Sequence, residues 1–184
     1  MVSRDLILQN EKVLLRPMSR QDFLVLQALT RDPDEWIYFT QDLSKPEEYE
    51  AWAAGHFSGD RLQFVVIEQA SGKIAGATAF GSFSPRDQRL EIGWTWLGKE
   101  FQGTGLNSQM KKVMLDYCFE ILKLKRVEIK TDVLNIPARK ALLKIGAVEE
   151  GVLRSHTLMT HGRRRDTIYY SFLEGEWPRK NPEV

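Results

Sequence analysis

One cysteine, three histidines and no long apolar run restrict this 184-residue chain from the outset. The lone Cys118 cannot build an internal disulfide framework, and a reduced thiol suits a cytosolic setting. It lies in an apolar helical stretch, which reads as packing rather than as a nucleophile. His56, His156 and His161 have no metal-binding spacing among themselves, and with one cysteine no zinc site is expected. Charge is not in excess either: 26 Lys and Arg against 25 Asp and Glu leave a formal net charge of +1. That balance gives no overall attraction to nucleic acid or to an anionic membrane. No apolar stretch approaches the roughly 20 residues that span a bilayer. The opening Met1-Val2-Ser3-Arg4-Asp5 lacks the basic-then-apolar order of a secretory leader. The expectation is a soluble, cytoplasmic chain, one domain over residues 1–184, large enough to bury a core.

What the chain does have is a strand pattern running into a glycine turn and then a long amphipathic helix. Arg89 to Leu97 alternates, with Leu90, Ile92, Trp94 and Trp96 on one face and Glu91, Gly93, Thr95 and Leu97 on the other. The turn Gln102-Gly103-Thr104-Gly105 follows, and Leu106, Met110, Val113, Met114, Tyr117 and Ile121 then recur at helical spacing. A glycine turn at a helix start leaves backbone N–H groups free at the positive end of the helix dipole. That combination suits a phosphate or pyrophosphate. Read alone, the turn is equally a loop that only needs positive φ. It lacks the Lys-Ser/Thr ending of an ATP-type phosphate loop and the spacing of a dinucleotide fingerprint.

The remaining elements read as mixed α/β. Glu11–Arg16 forms a strand closed by Pro17, and Ser19 and Asp22 cap a helix carrying Phe23, Leu26 and Leu29. Residues 31–50 are an acidic connection with seven carboxylates against two cations. Within it Pro46 opens a helix expected to run to about Phe57. Phe64–Ile67 and Ile74–Phe83 are strands, as is Val127–Thr131. Asn135 caps a short helix ended by Gly146, and Val148–Met159 and Arg165–Leu173 form a hairpin turning at His161-Gly162. Arg163-Arg164-Arg165 reads as part of that surface hairpin rather than as a nucleic-acid patch.

In this order and spacing the chain resembles the GNAT superfamily of acyl-CoA-dependent N-acyltransferases, in its RimJ/RimL-like ribosomal-protein acetyltransferase branch. The resemblance runs through Leu15-Arg16-Pro17 with Asp22, Glu91-Ile92-Gly93-Trp94, Gln102-Gly103-Thr104-Gly105, Asn135, Gly146-Ala147 and Arg165 to Ser171. It implies a mixed α/β (α+β) fold: a central, mostly antiparallel twisted sheet of about seven strands flanked by about four helices. It implies an N-acetyltransferase that moves an acetyl group from acetyl-CoA to a primary amine by direct attack, with no metal. The acceptor would be a protein N-terminal amine or a small-molecule amine. No nucleic acid or membrane partner is implied, and a homodimer is compatible with the sequence but not required by it.

The resemblance also assigns residues. The backbone amides of Gln102, Gly103, Thr104, Gly105, Leu106 and Asn107 would bind the CoA pyrophosphate. Asn107 stands where a small residue is usual, so its amide either caps the helix or touches phosphate. The pantetheine arm would pair with the backbone of Trp96 and Leu97, and an amide near Leu97 would face the thioester oxygen. Asn135 would contact the pantetheine, unless it is only a helix cap. Glu91 is the candidate general base, the alternative being that it orients a loop or pairs with Arg89 or another arginine. Asp166, Tyr169 and Tyr170 are weaker candidates. Trp36, Tyr38 and Phe39, inside the acidic connection, would border the acceptor pocket, or else anchor a solvated acidic loop. Many relatives carry a tyrosine four residues before the glycine that ends the second CoA-side helix; this chain has Leu142. That departure leaves the general acid unnamed and keeps open an alternative, a catalytically silent acyl-CoA-binding module. A nucleotide-phosphate enzyme is the third alternative, disfavoured by the missing phosphate-loop lysine.

Overall fold

The computed structural model describes residues 3–55, 59 and 61–177. Eight strands form one sheet: β1 (Leu8–Gln9), β2 (Val13–Pro17), β3 (Leu62–Glu68), β4 (Lys73–Ser84), β5 (Arg89–Leu97), β6 (Arg126–Asp132), β7 (Val148–Leu158) and β8 (Arg164–Leu173). Their order is β1-β2-β3-β4-β5-β6-β8-β7. Every neighbouring pair is antiparallel except β5 with β6. The extra strand relative to the expected seven is β1, a two-residue segment too short to show a period. Four α-helices lie among the described residues: α1 (Phe23–Leu29), α2 (Pro46–Gly55), α3 (Leu106–Asp116) and α4 (Ile136–Lys144). His56 and the expected end of α2 at Phe57 lie outside the described residues.

Strand β3 is buried on both faces, which explains its continuous apolar run. Phe64 and Val66 face a core shared with Leu106, Met110 and Met114 of α3 and Leu142 of α4. Val65 faces a second core with Leu26 of α1, Tyr49 and Trp52 of α2, and Trp36. Two layers of helices therefore sandwich the sheet. Near the start of α1, the Arg16 guanidinium grips Asp22 at 2.6 Å, and Ser19 N–H donates to the same carboxylate at 2.8 Å.

Two local irregularities break the expected periods. On β5, Ala77 and Ala79 of β4 face Trp96 and Gly93, so Trp94 and Thr95 together oppose Thr78. This is a β-bulge, and Trp94 has the positive φ of 52° that goes with it. The extra residue inverts the alternation downstream. Leu90, Ile92 and Leu97 pack on the α3/α4 side, whereas Trp96 joins Trp36 and Trp52 on the other. The expected single face for Leu90, Ile92, Trp94 and Trp96, and the shared face of Glu91 and Leu97, are thereby corrected. The second irregularity is a π-helical turn over Tyr117–Ile121. It shifts the helical phase, so Ile121 leaves the apolar stripe and is 68% exposed.

Candidate active site

The bulge on β5 opens the sheet. Strands β5 and β6 pair only from Arg89 to Glu91 against Arg126 to Glu128, and beyond that point they diverge. Strand β5 continues with β4, and β6 continues with β8, leaving a wedge between two half-sheets. The wedge holds a cleft of about 370 Å³. Its floor is Ile92–Thr95 of β5 and Ile129–Thr131 of β6. Asn107 and Lys111 of α3 and Ala138 and Leu142 of α4 wall one side; Tyr38, Phe39 and Thr40 close the other.

The strained residue at the wedge is supported from two directions. A non-glycine residue at positive φ costs on the order of 1–3 kcal/mol. The Arg61 guanidinium sits 4.7 Å over the Trp94 ring, and the same ring covers Gly81, where a Cβ would come within 2.5 Å of it. Only a residue without a side chain fits beneath that indole.

The glycine turn lies at the α3 end of the wedge. Gly103 and Gly105 have φ of 74° and 88°, a conformation that L side chains rarely adopt. Thr104 Oγ1 donates to Phe101 O at 2.8 Å and accepts from Leu106 N at 3.3 Å. The amides of Gly103, Thr104 and Gly105 donate to no backbone carbonyl among the described residues. Those of Asn107 and Ser108 are first-turn amides without an intrahelical partner. Gln102 turns its side chain the other way, with Nε2 donating to Leu97 O at 3.0 Å and to Glu35 at 2.6 Å. It thereby ties the turn to the end of β5. Asn107 is not a cap; its Oδ1 is buried without a partner among the described residues and lines the cleft. A buried carbonyl oxygen in that state is costly unless a donor reaches it. Asn135 is a cap, accepting from Ala138 N at 3.2 Å, and it also lines the cleft.

Along β5, Gly98 N–H donates to Ala75 O at 2.8 Å. By strand alternation the N–H and C=O of Leu97 then point away from β4, toward the open edge. Gln102 occupies the carbonyl, and the N–H faces the edge. The side chain of Trp96 is not in the cleft: it is buried between Trp36 and Trp52, with ring centroids 5.6 and 6.1 Å away.

Glu91 is 4% exposed and faces the cleft. Its expected alternative partner, Arg89, pairs instead with Glu128 and Asp87. Lys130 Nζ donates to Glu91 Oε2 at 2.9 Å, and Ser82 Oγ donates to the same oxygen at 3.0 Å. Oε1 lies toward Gly93. Arg165, 8% exposed, is held by Thr167 and also lines the cleft; burial holds its guanidinium below the usual range, and Asp132, Tyr169 and Glu91 counter that only in part.

The acceptor-side expectations separate. Tyr38 and Phe39 line the cleft. Trp36 does not: it is 2% exposed in the second core, its indole donating to Thr30 O at 2.9 Å. Nor do the acidic residues of the connection form a lining. Asp32 pairs with Lys99, Asp42 and Glu48 with Lys45, and Glu35 with Gln102. The charge of these four is spent on internal contacts, and Asp34, Glu47 and Glu50 are exposed outside the cleft lining. Tyr170 is fully buried, and Asp166 accepts from Ser155 N in the β7–β8 hairpin. Lys111, Lys130, His156 and Arg165 reach the cleft without having been singled out for it. For Lys111 a signal existed, since it stands at helical spacing from Met114 of the apolar stripe, between Asn107 and Cys118 in the same row.

Among the described residues no His, Cys, Asp and Glu cluster is arranged for a metal, and no helix is long and apolar enough to cross a membrane. A family profile described as an acetyltransferase (GNAT) domain matches residues 12–148. The protein named "Putative ribosomal N-acetyltransferase YdaF" of Bacillus subtilis is 28% identical over 176 residues, covering 91% of this chain and 94% of that protein. Spermidine N(1)-acetyltransferase of Escherichia coli is 27% identical over 171 residues, covering 90% and 88%. Among solved structures, a GCN5-related N-acetyltransferase from Brucella melitensis superposes with a TM-score of 0.88 at 28% identity, covering 96% of this chain and 82% of that one.

Proposed function

The chain belongs to the acetyltransferase (GNAT) domain family and is an acetyl-CoA-dependent N-acetyltransferase; we propose that its acceptor is a primary amine carrying one positive charge, a peptide α-amino group or a small monoamine. The residues present suit the donor. The unpaired amides of Gly103, Thr104, Gly105, Asn107 and Ser108 would receive the pyrophosphate, and the wedge between β5 and β6 would take the extended pantetheine arm. The unpartnered Asn107 Oδ1 would accept from a donor on that arm, beside the amide of Asn135. The Leu97 N–H, aimed at the open edge, would meet the thioester oxygen, a contact typically worth a few kcal/mol in the transition state.

Glu91 carries the reading of the acceptor, because it is the one carboxylate among the described residues lining the cleft. Its Oε2 is occupied by Lys130 and Ser82, which leaves Oε1 to accept from the incoming amine. An ordinary carboxylate is a weak base at neutral pH, suited to an amine that is already partly neutral. An α-amino group, with a reference pKa near 7.7–8.0, is about one-tenth neutral at pH 7; a lysine amine is almost wholly charged. Charge also separates the acceptor classes suggested by the relatives' names. With Glu91 paired to Lys130, Arg165 remains as a buried cation in the cleft. A polyamine would bring further positive charge against it, whereas a peptide amine brings a neutral backbone.

The test is thiol release from acetyl-CoA with N-terminal peptides, monoamines, spermidine and lysine-side-chain peptides offered in parallel. Peptide α-amines or monoamines are expected to give the highest kcat/KM. A preference for spermidine or for lysine side chains would overturn the assignment.

A further inference from the structure

Lys111 is the buried ionisable group that the acceptor chemistry leaves unused. It stands one turn along α3 from Asn107, is 4% exposed and lines the cleft. Its Nζ donates to Thr95 Oγ1, on the bulge, at 2.7 Å, and that hydroxyl lies 2.7 Å from Thr78 Oγ1. No carboxylate comes within ion-pair distance of Nζ among the described residues. The other titratable groups on the cleft are Tyr38 from the α1–α2 connection, Glu91 of β5, Lys130 of β6, His156 of β7 and Arg165 of β8. Glu91 is already held by Lys130 and Ser82. On α3 itself Lys112 and Asp116 pair with each other, and Cys118 beyond it is an inert thiol pushed up by burial. Glu11 and Lys12, in the turn joining the β1 and β2 strands that α3 packs on, are exposed.

A lone buried amine with no counter-ion loses part of its charge: burial pushes Lys111 down to about 7. It therefore exchanges a proton near neutral pH, unlike an ordinary lysine. Opposite it on the same side of the sheet, Ala138 and Leu142 offer only apolar surface. Tyr38 enters from the other side of the cleft, with the acceptor.

Resting on the reading that the thioester lies in this wedge, we propose that Lys111 is the proton donor to the departing CoA sulfur. The acceptor nitrogen forms the C–N bond with its lone pair, and the C–S bond breaks with its electron pair passing to sulfur. Lys111 releases one proton from Nζ to that sulfur and becomes the neutral amine, so the product is the CoA thiol. The proton lost from the acceptor nitrogen leaves on the Glu91 side, and Lys111 regains one from water before the next turnover. With a reference thiol pKa of about 8.5, the transfer from Lys111 to a thiolate is downhill.

Two measurements on the whole protein decide it. The first is the NMR titration of the Lys111 Cε signal, assigned by its loss in Lys111→Arg, with the protein saturated by CoA or by desulfo-CoA. Its midpoint is expected to shift with CoA and not with desulfo-CoA; identical titrations in both complexes would place Nζ away from the sulfur and overturn the proposal. The second compares Lys111→Met with the native chain on acetyl-CoA and on its selenoester, whose leaving group departs without a proton. A loss of about 100-fold is expected on the thioester, shrinking to a few-fold on the selenoester; an equal loss on both would mean a structural role. If calorimetry shows that neither CoA nor desulfo-CoA binds, the placement of the thioester fails first, and the proposal falls with it.

Discussion

Replacing Lys111 by methionine is expected to make the protein more stable at pH 6, even while impairing it as a catalyst. The side chains are similar in length, and the amine occupies a site that is 4% exposed, with one hydroxyl for company. Burial lowers the lysine from 10.5 to about 7. Its folded value thus lies below its unfolded one, and between about pH 7 and 10.5 the unfolded chain holds more proton than the folded chain. Stability owed to this group therefore rises with pH through that window and is flat below it. At about 1.4 kcal/mol per unit, the penalty carried by the native chain at pH 6 is about 3–5 kcal/mol. The methionine forfeits the hydrogen bond to Thr95, worth about 1 kcal/mol, but Thr95 keeps Thr78 as a partner. The net expectation is a gain of about 2–4 kcal/mol at pH 6 that vanishes near pH 10. Urea denaturation of both proteins at several pH values measures it, because the difference cancels all other titrating groups. A variant equally stable or less stable at pH 6, or a difference that does not change with pH, would refute the reasoning.

Glu91→Gln keeps the shape of the side chain but removes its charge, and should lower turnover on a peptide amine about 10²-fold. Full activity between about pH 6 and 9 would remove Glu91 from the chemistry. Gly81→Ala places a methyl within 2.5 Å of the Trp94 ring, which should cost about 1–3 kcal/mol and slow the reaction by disturbing the bulge; an unchanged Tm and rate would contradict that packing. At Asp22 burial works against ionisation, yet hydrogen bonds from Arg16 and Ser19 outweigh it and hold the carboxyl below its usual range. Asp22→Asn should therefore cost about 1–3 kcal/mol at pH 7. Because the folded value is the depressed one, that gap should begin to close below about pH 4 and disappear as pH falls through the folded value. A gap that persists into acid would show that charge is not what Asp22 contributes.

Much of the fold was legible because its signals are local. Pro46 starts α2, Asn135 caps α4, and the alternation from Arg89 to Leu97 marks a strand with the right ends. Sequence could not show the bulge, since Trp94 and Trp96 are both apolar and an inserted residue leaves the alternation looking intact. Its consequence is large: one extra residue sends Trp96 into the second core and opens the wedge. Trp36 misled for a related reason. Aromatic residues in an acidic loop suggest a binding surface, whereas the carboxylates around it serve Lys45, Lys99 and Gln102. Lys111 was overlooked because a lysine within an amphipathic helix ordinarily faces water, although its helical spacing with Met114 and Cys118 placed it on an apolar face.

The central claim is that the wedge between β5 and β6 is the seat of the CoA arm. Ala138, on the α4 wall of that cleft, offers the direct test, since tryptophan there would fill the space while the Asn135 cap and the glycine turn stay as they are. Calorimetric titration with acetyl-CoA should show binding to the native chain and none to Ala138→Trp, with both proteins folded by circular dichroism. Equal affinity in the two would contradict the account.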